Sequence, residues 1–160
     1  MAFDMLAVFA NVDEATLGAL VETMALAADA DGSFGSAEQL AIANQLRDLF
    51  VGTPVEALVA NDSVSGMLTM AAEALKRDGR VVRLASVKNS LGDTAFRKGA
   101  LVLAIRVVAM DGVIRTSERE LLLDLAEALE LDPDEAADLV REFSVPPTSS
   151  PLNDDRSVSG

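Results

Sequence analysis

The chain has 160 residues, long enough for one domain with a sizeable core. It carries 13 Lys and Arg against 26 Asp and Glu, a net charge of −13, which argues against nucleic acid and anionic membrane surfaces as partners. It has no Cys and no His, so disulfides, Cys or Ser–His nucleophiles and imidazole metal ligands are excluded, and any metal site must use oxygen ligands.

Half of the residues are hydrophobic but only 4% are aromatic, with no Trp or Tyr. A core of Leu, Ala, Val, Met and Phe favours helices over strands. The expected fold is all-α. Residues 1–11 form a short amphipathic segment in which Phe3, Leu6 and Phe9 share a side. The stretch has no basic residue ahead of its apolar run, so it does not read as a signal peptide. The longest apolar run, 100–110, is broken by Arg106 and is too short to span a membrane. A cytoplasmic protein is expected.

The domain proper is placed at 12–144. Its first helix starts at the N-cap Asp13 and carries Leu17, Leu20, Val21, Met24 and Ala28 inward. It ends at Asp31-Gly32, where Gly32 suits a left-handed cap. Ser36 and Gln39 fit a capping box opening the next helix, with Leu40, Ala43, Leu46 and Phe50 as its buried stripe. Gly52 stops that helix, and Thr53-Pro54-Val55-Glu56 restarts a short one. Another runs from Asp62 or Ser63 to Asp78-Gly79, and one more from about Arg80 to Leu91 with Val81, Leu84, Ala85 and Val87 inward. Asp93 caps the helix that carries the core, through Phe96, Ala100, Leu103, Ala104, Val107 and Val108. After Asp111-Gly112, Thr116 or Ser117 caps the next helix, and Ser117 with Glu120 fits a second box. Asp132-Pro133-Asp134-Glu135 opens a last helix ending at Phe143. Residues 145–160, rich in Pro, Ser and charge without periodicity, are expected to be a disordered tail.

Two stretches repeat without a gap 80 residues apart. Asp31-Gly32 aligns with Asp111-Gly112, Glu38 with Glu118, Ser36 with Thr116, Ile42 with Leu122 and Leu49 with Leu129. Two helical hairpins of this kind can share an apolar seam about a pseudo-two-fold axis.

The segment VVAMDGVIRTSERELLLDLAEALELDPDEAADLV and, more weakly, ALAADADGSFGSAEQLAIANQLRDL resemble the TerB-like tellurite-resistance family, which includes a domain of a membrane-anchored DnaJ-type co-chaperone. The resemblance covers about residues 14–143. It implies an all-α bundle of about seven helices built from two pseudo-symmetric hairpins. It also implies a divalent-cation site (calcium or magnesium) formed by Asp31 and Glu38 from the first turn and Asp111 and Glu118 from the second, a link to stress response, and no enzymatic activity or organic cofactor.

Without the family, each carboxylate has a simpler account. Asp31 and Asp111 precede Gly and can satisfy turn backbone groups, while Glu38 and Glu118 lie where a helix dipole favours a negative charge. Four carboxylates held together need a cation or a proton between them. The segment at Asp29 fails as an EF-hand, because Phe34 and Leu40 stand at the Gly and Glu positions of that loop. The competing function is a protein-interaction module with purely structural carboxylates, other proteins being the expected partners.

Overall fold

The computed structural model describes residues 4–30, 35–60, 63–111 and 114–143; for Asp111 it describes the backbone alone. These residues form nine α-helices and no strand, so the all-α expectation holds for them. The helices are α1 (Met5–Phe9), α2 (Glu14–Ala30), α3 (Ser36–Leu49), α4 (Glu56–Val59), α5 (Ser63–Asp78), α6 (Arg80–Ser90), α7 (Thr94–Val108), α8 (Thr116–Ala128) and α9 (Pro133–Phe143). A 3-10 turn, Ala109–Asp111, follows α7. Only α1 and α4 are single turns, leaving seven longer helices. The expected tail at 145–160 and the left-handed cap at Gly32 lie outside the described residues.

Helices α2 and α7 form the centre and pack along one another. Eleven of the 17 residues of α2 and nine of the 15 of α7 are buried, so these helices are apolar on nearly every side rather than along one stripe. The remaining helices cover them. α5 lies on α2 and α3, and α9 lies on α7 and α8. Helix α1 packs on α7, and α6 packs on α2. Phe9 of α1 is buried against Gly99 of α7 and its ring meets Phe50 at 5.2 Å between centroids. Leu6 and Val81, expected inward, are instead exposed, as is Leu40 of α3, where Ile42 and Leu46 carry the packing.

Local chemistry fixes most boundaries. Asp13 Oδ1 accepts from the Thr16 N–H at 2.8 Å, Asp93 Oδ1 from Ala95 at 2.8 Å, and Asp132 Oδ2 from Glu135 at 3.0 Å, so all three expected Asp caps are in place. Gly52 and Gly79 follow the ends of α3 and α5 with φ of 81° and 88°, a region open to Gly at little cost. After α8 the left-handed position falls to Glu130, at φ 60°, and the Leu131 N–H closes back on Ala126 O at 3.0 Å.

Three expected caps are displaced. The N-cap of α3 is Gly35 and that of α8 is Arg115, so neither the Ser36–Gln39 nor the Ser117–Glu120 box forms. At 53–56 the chain makes a turn first. The Thr53 hydroxyl donates to Phe50 O at 2.8 Å, the Gly52 N–H donates to Glu56 Oε1 at 3.0 Å, and the helix begins only at Glu56.

The helix starts repeat with the sequence. α2 and α7 begin at 14 and 94, α3 and α8 at 36 and 116, and their N-caps 13/93 and 35/115 keep the same 80-residue spacing.

Candidate functional site

The residues expected to hold a cation come from the two turns that follow α2 and α7. Asp31 lies outside the described residues. Asp111 closes the 3-10 turn after α7, and its side chain is likewise outside them. Glu38 and Glu118 are described and occupy the same place, third residue of α3 and of α8. Here a carboxylate can accept from the N-terminal N–H groups that have no partner within the helix.

The two glutamates are held differently. Glu118 is buried, 7% exposed. Its Oε1 accepts from the Arg115 N–H at 2.8 Å, and its Oε2 lies 3.2 Å from Arg115 Nη1. One arginine therefore presents both a backbone donor and a guanidinium to the same carboxylate. Glu38 is half-buried. It folds back over Gly35, its Oε1 lying 3.0 Å from where a β-carbon at that residue would stand.

A cavity of about 300 Å³ joins the two halves at this end of the molecule. It is bordered by Ala30, the last residue of α2, and by Arg115, Ser117, Glu118 and Leu121 from the start of α8. The exit of α2 thus faces the entry of α8, and the residue after Ala30 is Asp31. Glu38 does not border this cavity. Among the described residues no group of three or more acidic side chains is placed to hold a metal ion.

Sequence reasoning missed Arg115. The capping reading looked one or two residues downstream, at Thr116 and Ser117, because hydroxyl side chains are the usual caps. The repeat held a better signal: Arg115 aligns with Gly35, so a cation stands in one half where the other has no side chain.

One set of groups whose protonation is displaced lies between α2, α5 and α6. Arg83 of α6 bonds Glu22 of α2 through two nitrogens, at 2.6 and 2.9 Å, and reaches Asp78 at 3.1 Å. The Glu22 hydrogen bonds, outweighing burial, push the Arg83 pKa up. Asp78 is held below the ordinary carboxylate range, first by the hydrogen bond from Arg77 and then, against the opposing effect of desolvation, by that from Arg83. This network pins α6 to α2 and touches neither turn.

Searches against protein-family models, curated proteins and solved structures give no match to this chain. No helix among the described residues is long and apolar enough to cross a membrane.

Proposed function

We propose that the chain is a non-enzymatic, TerB-like helical domain of two pseudo-symmetric hairpins, a cytoplasmic stress-response protein that holds a divalent cation. The carboxylates of the two repeated turns, Asp31 with Glu38 and Asp111 with Glu118, are the ligands of this reading. The observation that carries it is the cavity in which Ala30, the neighbour of Asp31, borders the first turn of α8 beside Glu118. Helix starts that recur at 80-residue spacing support the relation between the halves. An all-oxygen ligand set matches calcium or magnesium, hard cations that take carboxylates.

The test is calorimetric titration of the full chain with each ion. One saturable event is expected, abolished in the double variant Asp31→Asn, Asp111→Asn. A flat titration with both ions defeats the reading.

A second reading rests on Arg115. Both oxygens of Glu118 are engaged by it, so the compensating charge comes from the chain itself and the domain serves as a protein-interaction module. On this reading the titration is flat and Asp31→Asn leaves partner capture unchanged.

A further inference from the structure

Two open grooves occupy related places. One lies between α2, α5 and α6, with a volume of about 440 Å³; the other lies between α7, α9 and α1, at about 790 Å³. Each is floored by the N-terminal part of a central helix: Ala15, Gly18 and Ala19 in one, Thr94, Ala95 and Lys98 in the other. Their charges differ. In the first groove, Glu22 is neutralised by the two-pronged contact with Arg83, with side chains only 14% and 20% exposed.

Among the described residues the second groove has an apolar floor of Ala7, Val8, Ala95 and Leu139, and four carboxylates around it, Asp4, Glu135, Asp138 and Glu142, against a single Lys98. Lys98 is already paired with Glu135 at 3.2 Å. Among the described residues Asp138 meets only Arg141, in a pair whose side chains are 68% and 74% exposed, and such a pair contributes little and yields readily to a better partner. Asp4 and Glu142 have no ion pair among the described residues. Glu135, Asp138, Leu139 and Glu142 are spaced i, i+3, i+4, i+7, so one face of α9 presents three carboxylates around one buried leucine over about 10 Å, two turns of helix.

We infer that the groove between α1, α7 and α9 docks a basic amphipathic helix of a partner protein. An apolar side chain of that helix covers Val8, Ala95 and Leu139. Its Lys or Arg residues, one per turn, face the carboxylate row of α9 and Asp4, where a cation on a helix finds an anion at matching pitch. The apolar floor supplies affinity and the rim supplies orientation and encounter rate. The inference is independent of the cation reading, since none of these residues belongs to the turns after α2 and α7.

The probe is a capped 14-residue helical peptide of Leu and Lys at i, i+3, i+4 spacing, titrated into the full isotope-labelled chain with amide shifts and anisotropy as readouts. Saturable binding is expected, with shifts gathered at Ala7, Val8, Ala95 and Leu139. The triple variant Asp4→Asn, Asp138→Asn, Glu142→Gln should weaken it roughly tenfold or more, since rim charges act together. Asp4→Asn keeps a side-chain acceptor for the Ala7 N–H at the start of α1. A control that removes the same charge elsewhere, Asp48→Asn, Glu120→Gln, Asp124→Asn, should leave the affinity unchanged. A peptide with Ala for Leu should bind far more weakly. Equal weakening by both triple variants would show only long-range attraction and overturn the proposal. So would shifts centred on the α2, α5 and α6 groove, or shifts of the same groove residues on dilution of the chain alone, which would put a second copy there.

Discussion

Residues 14–49 and 94–128 begin their helices at matching positions yet sit in different surroundings. Helix α8 buries Glu118, Leu122, Leu125 and Ala126, packing on α7 and α9, whereas α3 buries only Ile42 and Leu46 and leans on α5 and α4. The same third-position glutamate is buried against Arg115 in one half and half-exposed over Gly35 in the other. A repeated sequence therefore fixes where helices start, while the packing around each copy decides what its polar residues do.

The largest expected difference follows from those glutamates. Glu118→Ala removes a buried carboxylate that accepts from an N–H and a guanidinium, and should cost about 2–3 kcal/mol. Glu38→Ala loses only a half-buried first-turn charge and should cost less than about 1 kcal/mol. Urea denaturation of both variants checks this. Equal losses would mean that the two turns are energetically equivalent in spite of Arg115.

What could be read from the sequence divides along the same line. The caps Asp13, Asp93 and Asp132 and the stops at Gly52 and Gly79 depend on neighbours within a few residues, so they were legible. The central helices were legible as helices from their Asp caps and inward apolar residues, although burial on nearly every side was not. The packing of α1 on α7 was not, since nothing in a five-residue helix states which face it will cover, and neither was that of α6 on α2, where Glu22 lies 61 residues from its partner Arg83. Nor was the role of Arg97. Its guanidinium donates to Leu91 O at 2.6 Å, Lys88 O at 3.1 Å and Leu129 O at 3.4 Å, tying the ends of α6 and α8 together. Of the candidate site, the matching third positions of Glu38 and Glu118 follow from the repeat, while Arg115 escapes a pattern that expects a hydroxyl cap.

A second contrast concerns two helical glycines, Gly18 of α2 and Gly99 of α7. A β-carbon at Gly99 would stand 2.8 Å from the Phe9 ring, and that ring is fixed by burial and by Phe50. A β-carbon at Gly18 meets nothing within 4 Å. Both substitutions to Ala gain about 1 kcal/mol of helix propensity. At Gly99 an overpacking cost of about 1–3 kcal/mol opposes it. Gly18→Ala should therefore raise the melting temperature, and Gly99→Ala should lower it or leave it level. Combining Gly99→Ala with Phe9→Leu should recover part of the clash, although Phe9→Leu is itself destabilising. If Gly99→Ala alone stabilised the chain as much as Gly18→Ala, α1 would not be seated on α7 as described.

The smallest effect is expected at Asp78, whose side chain is 25% exposed and screened by solvent. Arg77 and Arg83 hold its folded-state pKa below the ordinary carboxylate value. A carboxylate lowered in this way stabilises the fold above its unfolded pKa, and the contribution disappears as pH falls through the lower, folded value. The stability gap between the wild-type chain and Asp78→Asn should thus be constant from neutral pH down to about pH 5 and close below about pH 4. Glu22 also faces Arg83, so the variant leaves that arginine one carboxylate, and α6 stays attached to α2. Urea midpoints measured from pH 7 to pH 2 would reveal the closing gap. A gap that widened on acidification would require Asp78 to be destabilising in its charged form, and the α2, α5 and α6 groove would then lack the internal charge balance that sets it apart from its acidic counterpart.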